Sequence, residues 1–243
     1  DTDGDTYADY LEIARSSDPT SNTSTPGTSS LVPLVEVGTD SLTDGALASW
    51  PNTGTLGRSF EADSPPSVET IGGVRGVTFT GTQVLTGPVA PSNLTGASPR
   101  TIQAWIFNPT TSTEETIVAW GRRDGPNGTL CAFFHGSNAS FGAVGNWGTP
   151  DMPWGTDAAA IANNVKLGSW TYVVYTYDGT EGRLYSNGTV AYTEVLNALA
   201  TFGVDNTSAA RPLPIRIAGQ NAANGTLATA GQKGSLTIAK LRI

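Results

Sequence analysis

The chain has few of the residues that build several common kinds of site. Its one cysteine, Cys131, excludes an internal disulfide framework and a cysteine-rich metal site. Its one histidine, His135, excludes zinc sites built from several histidines. No apolar run approaches the roughly 18 residues that a membrane-spanning helix needs, so we expect no membrane span.

Charge is also scarce, and it is unevenly placed. Charged residues make up 14% of the chain, against about 25% in an average soluble protein. Long amphipathic helices need many such residues, so an all-α fold is not expected. The net charge is −8 and no basic stripe occurs, which excludes nucleic acid as a partner. Six carboxylates precede residue 19 against the single Arg15, so the acidity is mainly a local feature of the N-terminus.

Three zones follow one another along the chain. Residues 1–15 are acidic and end in a short helical pattern from Ala8 to Arg15. Residues 16–30 contain ten Ser or Thr among fifteen, a composition typical of a linker. Residues 31–243 alternate short apolar runs with turn residues. This alternation predicts an all-β fold, a sandwich of two antiparallel sheets.

Several strands can be predicted directly. Thr101–Phe107, Thr116–Trp120 and Trp170–Tyr177 carry β-forming residues on both faces, which indicates strands covered on both sides. We therefore expect Trp105 and Trp170 to pack in the core.

Asn187-Gly188 is the strongest hairpin signal in the chain. It separates Arg183–Ser186 from Thr189–Thr193, and an Asn-Gly pair between two β-forming runs favours a tight two-residue turn. Pro214–Ala218 and Ser235–Ile243 are predicted as later strands.

The first twelve residues, DTDGDTYADYLE, form an acidic loop with the spacing of a calcium site. Loop positions 1, 3, 5, 7, 9 and 12 supply the oxygen ligands in an EF-hand-type loop. Clustered aspartates repel one another unless a cation lies among them, and Ca²⁺ prefers oxygen ligands. The predicted ligands are Asp1, Asp3, Asp5, the backbone carbonyl of Tyr7, Asp9 and Glu12. The alternative is a solvated acidic tail.

This loop resembles the DxDxDGxxD calcium loops of thrombospondin type 3 repeats. It departs from them at Thr6, where glycine is usual, because a β-branched residue tolerates positive φ poorly. The resemblance implies a structural Ca²⁺ that orders a segment too small to fold alone.

Residues 168–190, GSWTYVVYTYDGTEGRLYSNGTV, have a Trp-led strand, a Tyr-Asp-Gly turn and a Tyr-x-Asn-Gly hairpin. Together with GALASWPNTG, GVTFTGTQVL, RTIQAWI, ETIVAWG and the terminal SLTIAKLRI, in that order, they resemble the laminin G-like, concanavalin A-like jelly-roll family. The resemblance implies a two-sheet antiparallel jelly roll in an extracellular or cell-surface protein. It does not fix the function, because this fold hosts lectins, adhesion modules, glycan hydrolases and structural domains.

We predict that the chain is not an enzyme. Glycan hydrolases of this fold place their carboxylates on one strand as Glu-x-Asp-x-Glu, and no such run occurs. Glu114 and Glu115 are adjacent, so on a strand they would face opposite sides. Asp151 lies in a loop with no partner fixed by the sequence. His135 at a strand end and Cys131 among apolar neighbours are interpreted as structural residues.

The loop from Phe141 to Asp157 is the candidate carbohydrate-binding site. Trp147 and Trp154 lie there in a Gly- and Pro-rich segment and could stack on sugar rings, with hydrogen bonds from Asn146 and Asp151. In the alternative interpretation both tryptophans cap the edge of the sandwich.

Asn-x-Ser/Thr sequons at Asn22, Asn127 and Asn224 are candidate glycosylation sites in loops. We predict a non-catalytic extracellular calcium-binding module that binds a glycan or glycoprotein and serves in adhesion. One alternative is a structural subunit of a filament or surface layer, in which the N-terminal segment docks on another copy of the chain. Another is an accessory domain of a larger secreted enzyme.

Overall fold

A computed structural model gives the fold of most of the chain. It describes residues 2–4, 17–24, 32–126, 128–148, 150–196, 199–201, 204–205, 211–222, 224–227 and 232–243. The predicted helical pattern from Ala8 to Arg15 lies outside these residues.

The described residues form eighteen strands, one α-helix and one short 3₁₀ turn at Ser92–Leu94. The helix is α1 (Ala158–Asn164). The strands are β1 (Glu36–Gly38), β2 (Gly45–Ala46), β3 (Ser49–Pro51), β4 (Ser59–Ala62), β5 (Ser67–Ile71), β6 (Val74–Thr78), β7 (Leu85–Val89), β8 (Arg100–Phe107), β9 (Thr116–Gly121), β10 (Leu130–Phe134), β11 (Val144–Gly145), β12 (Trp170–Tyr177), β13 (Glu181–Ser186), β14 (Thr189–Val195), β15 (Val204–Asp205), β16 (Arg211–Pro212), β17 (Pro214–Ile217) and β18 (Thr237–Arg242).

Two antiparallel sheets make the sandwich. The nine-stranded sheet has the order β14-β13-β12-β8-β18-β6-β5-β2, with β1 paired to β18. The seven-stranded sheet has the order β11-β10-β9-β17-β7-β4-β3. Strands β15 and β16 form a separate pair. The predicted all-β fold of two antiparallel sheets is therefore confirmed.

The core lies between the sheets, and β8 shows how alternate side chains of a strand enter it. In β8, Ile102, Ala104 and Ile106 are buried while the residues between them are partly exposed. The opposite sheet contributes Trp120 and Phe133 to the same apolar cluster. The period of two therefore determines which side chains of β8 face the core.

The predicted hairpin is confirmed. Asn187 and Gly188 both have positive φ, 49° and 83°, and connect β13 to β14. A two-residue turn of this kind requires positive φ at both positions, which Asn and Gly tolerate best. The Asn187 side chain also accepts a hydrogen bond from the Tyr172 N–H at 2.9 Å, which ties the turn to β12.

Trp105 and Trp170 are not in the core, and that prediction was wrong. Both are partly exposed on the outer face of the nine-stranded sheet. Their rings are parallel within 9°, with centroids 6.2 Å apart, and the Trp170 indole N–H donates to the Ile71 carbonyl at 2.9 Å. The stacked rings of Trp105 and Trp170 shield one another from water. Apolar residues on the outer face of these strands therefore did not need to be covered by further parts of the protein.

His135, by contrast, is fully buried next to the core. The Asn108 amide donates to its Nδ1 at 3.2 Å, and the Trp154 ring lies edge-on at 5.7 Å. Burial lowers the pKa of His135 to about 4, and the Asn164 carbonyl offsets only part of this effect. The ring is therefore neutral in the folded protein, in agreement with the structural interpretation of this residue.

This buried histidine predicts a loss of stability in acid. The unfolded chain protonates His135 near pH 6.5, but the folded protein does so only near pH 4. Between these values the unfolded state binds more protons, so the free energy of unfolding decreases by about 3 kcal/mol as the pH falls from 6.5 to 4. His135→Gln removes this contribution. Urea unfolding of both proteins across that interval should give a shallower pH dependence for the variant, whatever its starting stability. Parallel curves would contradict the assignment.

Candidate functional site

Strand β10 is apolar on both faces. Cys131 and Phe133 point into the core, whereas Leu130, Ala132 and Phe134 form a second apolar cluster with Ala119 of β9. Since alternate residues of a strand face opposite sides, this second cluster lies on the outer face of the seven-stranded sheet. An apolar patch on an outer sheet face gives a floor on which a loop or a ligand can pack.

Small residues leave room above this floor. In the ladder, Ala132 is opposite Ala119 on one side and Gly145 on the other, so three small residues lie in one row. A Cβ at Gly145 would approach the Phe134 ring to 2.8 Å. The glycine therefore allows the Phe134 ring to lie against the edge strand β11.

A cavity of about 350 Å³ opens over this end of the sheet. We call it the Trp147 pocket. Its apolar side chains are Leu130, Phe134, Phe141 and Trp147. Its charged side chains are Glu114, Arg123 and Asp151. Apolar walls with a few convergent polar groups are typical of small-molecule sites.

Trp147 is held in place by its backbone and by its ring. Its φ is 61° and that of Gly148 is 77°, so the chain turns sharply after β11. The Trp147 carbonyl accepts the Gly128 N–H at 3.0 Å, which ties the turn to the segment before β10. The ring packs against the outer apolar cluster and lies 5.0 Å from the centre of the Arg123 guanidinium.

Arg123 is the centre of a polar network. Its two terminal nitrogens donate to both oxygens of Glu114, at 2.9 and 3.1 Å, in a fork geometry. One of them also donates to Gln220 Oε1 at 3.0 Å, and Gln220 Nε2 donates to Glu114 at 3.0 Å. Both charged side chains are largely buried, which strengthens such a pair relative to an exposed one.

Asp151 supplies the second carboxylate of the pocket. Its Oδ1 accepts the Asn146 N–H at 2.6 Å. Burial raises the pKa of Asp151, the Asn146 N–H opposes this, the charge on Glu114 raises it further and the charge on Arg123 lowers it. The influence of Glu114 on Asp151 shows that the two carboxylates share one electrostatic environment, although they are distant in sequence.

Two of the predicted sugar contacts, Trp147 and Asp151, line this pocket together. The other two do not. Trp154 is fully buried in the core, where its ring packs 5.9 Å from Phe133 and its indole N–H donates to the Phe134 carbonyl at 3.1 Å. The prediction that Trp154 stacks on a sugar was therefore wrong, because the loop folds this ring inward beneath the sheet edge.

Asn146 is also fully buried, and the prediction that it contacts a sugar was wrong. Its amide donates to the Pro150 carbonyl at 2.8 Å, and its N–H donates to Asp151. Asn146 holds the loop closed and so positions Asp151. A polar residue in a glycine-rich loop satisfies the backbone of that loop before it can serve a ligand.

Glu114 and Arg123 were not predicted as site residues. The adjacency of Glu114 and Glu115 did indicate divergent side chains, and they diverge: Glu115 accepts the N–H groups of Ser112 at 3.0 Å and Ser235 at 2.6 Å. Only the pairing of β9 with β10 brings Glu114 and Arg123 beside the loop after β11. No local signal in the sequence marks them.

The calcium loop lies mostly beyond the described residues. Of the predicted ligands, Asp1, Asp5, Tyr7, Asp9 and Glu12 fall outside them and only Asp3 falls inside. Among the described residues, no group of three or more His, Cys, Asp or Glu could hold a metal ion. The calcium site stays a prediction.

The sequons also stay predictions. Asn22 and Asn224 are exposed, and Asn127 lies outside the described residues. The side chain of Asn224 accepts the Thr226 N–H at 3.1 Å, so it lies in a local turn. None of the helices in the described part of the chain is long and apolar enough to cross a membrane.

A family model described as the concanavalin A-like lectin/glucanases superfamily, of the laminin G type, matches residues 79–230. The match covers more than half of the chain, which therefore belongs to this superfamily. This confirms the resemblance seen in the β domain, whereas the resemblance of residues 1–12 to a thrombospondin loop stays a prediction. The search of curated proteins found no match.

Several solved structures are similar to this chain at low sequence identity. Domain 4 of an extracellular GH43 arabinanase from Geobacillus stearothermophilus, in complex with arabinotriose, is 14% identical with a TM-score of 0.50, over 87% of this chain and 91% of that domain. A GH54 arabinofuranosidase is 11% identical with a TM-score of 0.53, over 81% of this chain and 47% of that one. A Trypanosoma rangeli sialidase is 13% identical with a TM-score of 0.47, over 93% of this chain and 33% of that one. The chain thus spans about half of the arabinofuranosidase and a third of the sialidase.

The raised pKa of Asp151 predicts a pH effect of definite sign. Just above the ordinary aspartate value of 3.8 the folded protein keeps a proton that the unfolded chain releases, so the wild type loses stability as pH rises. The side chain of Asp151→Asn does not titrate. The free energy of unfolding of the variant should therefore increase relative to that of the wild type as the pH rises through this interval.

Urea unfolding from about pH 2.5 to pH 7 measures the difference, since the interval for Asp151 lies above pH 3.8 and that for the control variant lies below it. Asp178→Asn is the matched control with the opposite sign, because hydrogen bonds from the N–H groups of Glu181 and Thr180 lower the pKa of Asp178. Equal pH dependence in the wild type and Asp151→Asn would contradict the prediction.

Proposed function

We propose that the chain is a non-catalytic carbohydrate-binding module that holds a sugar in the Trp147 pocket. The observation that carries the proposal is the joint placement of Trp147 and Asp151 on one cavity outside the core. Trp147 is partly exposed and lines the cavity, so the C–H groups of a sugar held there would contact its ring. The carboxylate offers an acceptor for its hydroxyl groups.

The make-up of the pocket supports a small polar ligand with one apolar face. Leu130, Phe134 and Phe141 give an apolar surface, and the polar groups converge at one side. The volume of about 350 Å³ lies at the lower end of the range for small-molecule pockets. A terminal sugar residue suits this size better than the middle of a long chain.

A binding role fits the carboxylates better than hydrolysis does. Hydrolysis needs two carboxyl groups that are free to exchange protons or to attack across the cleaved bond. Glu114 is held by the Arg123 fork and by Gln220, and releasing it would leave a buried charge without its partner. That leaves Asp151 as the available carboxylate among the charged side chains of the pocket.

A carbohydrate-binding module of this kind could belong to a larger enzyme or serve in adhesion. The similarity to a complete domain of an extracellular arabinanase, described with bound arabinotriose, supports an accessory domain in a larger secreted enzyme. An adhesion module that binds a glycoprotein would use the same pocket. Self-assembly into a filament depends on the N-terminal segment, and nothing in the described residues favours it.

Loss of the Trp147 ring should abolish most of the binding. Trp147→Ala removes the stacking face, and the expected cost is about 2 kcal/mol of binding free energy or more, roughly a thirtyfold weaker Kd. A glycan array followed by calorimetry with the best ligand measures this. Trp105→Ala is the matched control, because it removes a partly exposed indole from the opposite sheet. Equal affinity of both variants for the ligand would contradict the proposal.

We further propose that residues 1–12 bind a structural Ca²⁺ through Asp1, Asp3, Asp5, the Tyr7 carbonyl, Asp9 and Glu12. The support is the spacing of these oxygen donors and their mutual repulsion without a cation. Such an ion would order the N-terminal segment and leave the Trp147 pocket, which lies in the β domain, unaffected.

Removing two of these carboxylates tests the calcium site. The double variant Asp3→Asn, Asp5→Asn should bind Ca²⁺ at least tenfold more weakly in calorimetry, whereas Asp63→Asn, an exposed carboxylate of the β domain, should not change the affinity. No Ca²⁺ binding by the wild type would contradict the proposal. Sedimentation with and without a chelator also tests the filament alternative, which requires calcium-dependent association.

A further inference from the structure

The charges around the Trp147 pocket do not cancel. The charged side chains that line it come from three places: Glu114 before β9, Arg123 after β9, and Asp151 in the loop after β11. Arg123 and Glu114 form a forked ion pair at 2.9 and 3.1 Å, which neutralises both. The pocket therefore keeps the single negative charge of Asp151.

Arg123 is poorly placed to receive an acidic ligand. Its terminal nitrogens donate to Glu114 and Gln220, and one face of its guanidinium is covered by the Trp147 ring at 5.0 Å. To turn toward a ligand, it would have to leave Glu114, whose side chain is 9% exposed, as an uncompensated charge. An acidic sugar would also meet the charge of Asp151.

Asp151 is the group that is placed to meet a ligand. Its Oδ1 is used by the Asn146 N–H at 2.6 Å, and the structure gives its Oδ2 no hydrogen-bond partner among the described residues. Burial and the nearby Glu114 raise its pKa, the Asn146 N–H and Arg123 oppose them, and burial is the largest influence on its carboxylate charge. A cation within hydrogen-bond distance would stabilise that charge.

We infer that the Trp147 pocket prefers a sugar with a free amine, whose ammonium group pairs with Asp151 while its ring lies against Trp147, and that it excludes sugars bearing acid groups. The inference rests on the proposed carbohydrate-binding function and adds the ligand class. An N-acetylated amine loses this preference, because the acetyl group removes its positive charge. Neutral sugars bind more weakly through the ring alone.

The experiment compares matched glycans that differ only at one group. At about pH 6, arrayed glycans ending in glucosamine, galactosamine or mannosamine are compared with their N-acetylated counterparts, and glycans ending in the neutral hexoses are compared with the matching uronic acids. Kd values follow by calorimetry with the full chain. The free amine should bind at least tenfold more tightly than the N-acetylated sugar. The uronic acids should not bind.

Two variants separate a specific contact from general attraction to a chain of net charge −8. Asp151→Asn should bring the ratio of the two Kd values close to one. Glu61→Gln should leave the ratio unchanged, because Glu61 is an exposed carboxylate on the same sheet that accepts a hydrogen bond from Ser49 at 2.8 Å outside the pocket. A ratio that both variants reduce equally would overturn the inference.

Failure of the inference and failure of the proposed function give different results. One result is that N-acetylated or acidic sugars bind, that Trp147→Ala loses this binding, and that a free amine does not increase it. This result would support the Trp147 pocket as a sugar site and reject the amine preference. Absence of any glycan binding that depends on Trp147 rejects both.

Discussion

A β-strand turns its side chains alternately to the two faces of its sheet, and β10 carries apolar side chains on both. Cys131 and Phe133 join the core, and Leu130, Ala132 and Phe134 form the outer cluster. The same five residues thus hold the sandwich together and give the pocket its floor. Because the period of two fixes both faces at once, a shift of register by one residue would exchange floor and core.

The pocket needs more than a floor, and the polar network supplies its rigid side. Glu114 and Arg123 come from opposite ends of β9, and Gln220 comes from the segment after β17. Their mutual hydrogen bonds fix the guanidinium on which the Trp147 ring lies. A ring supported in this way loses little freedom when a ligand binds, so less of the contact energy is offset by ordering.

The sequence predicted what depends on local preference. The Asn187-Gly188 turn, the central strands and the class of fold follow from residue type and spacing. It failed where tertiary packing decides: Trp147 and Trp154 lie in the same kind of loop, yet only Trp154 enters the core. The Glu114 and Asp151 carboxylates share a pocket only because β9, β10 and β11 are neighbours in the sheet.

The positive φ of Trp147 has a consequence for the balance between folding and function. A glycine in this position would adopt that backbone conformation without steric cost, whereas a side chain there costs on the order of 1 kcal/mol. Backbone conformation alone would therefore favour glycine at position 147, whereas the chain has tryptophan, the largest residue, there. The Trp147 ring packs on the outer apolar cluster and on Arg123, and these contacts, which a glycine could not make, oppose the steric cost of its backbone conformation.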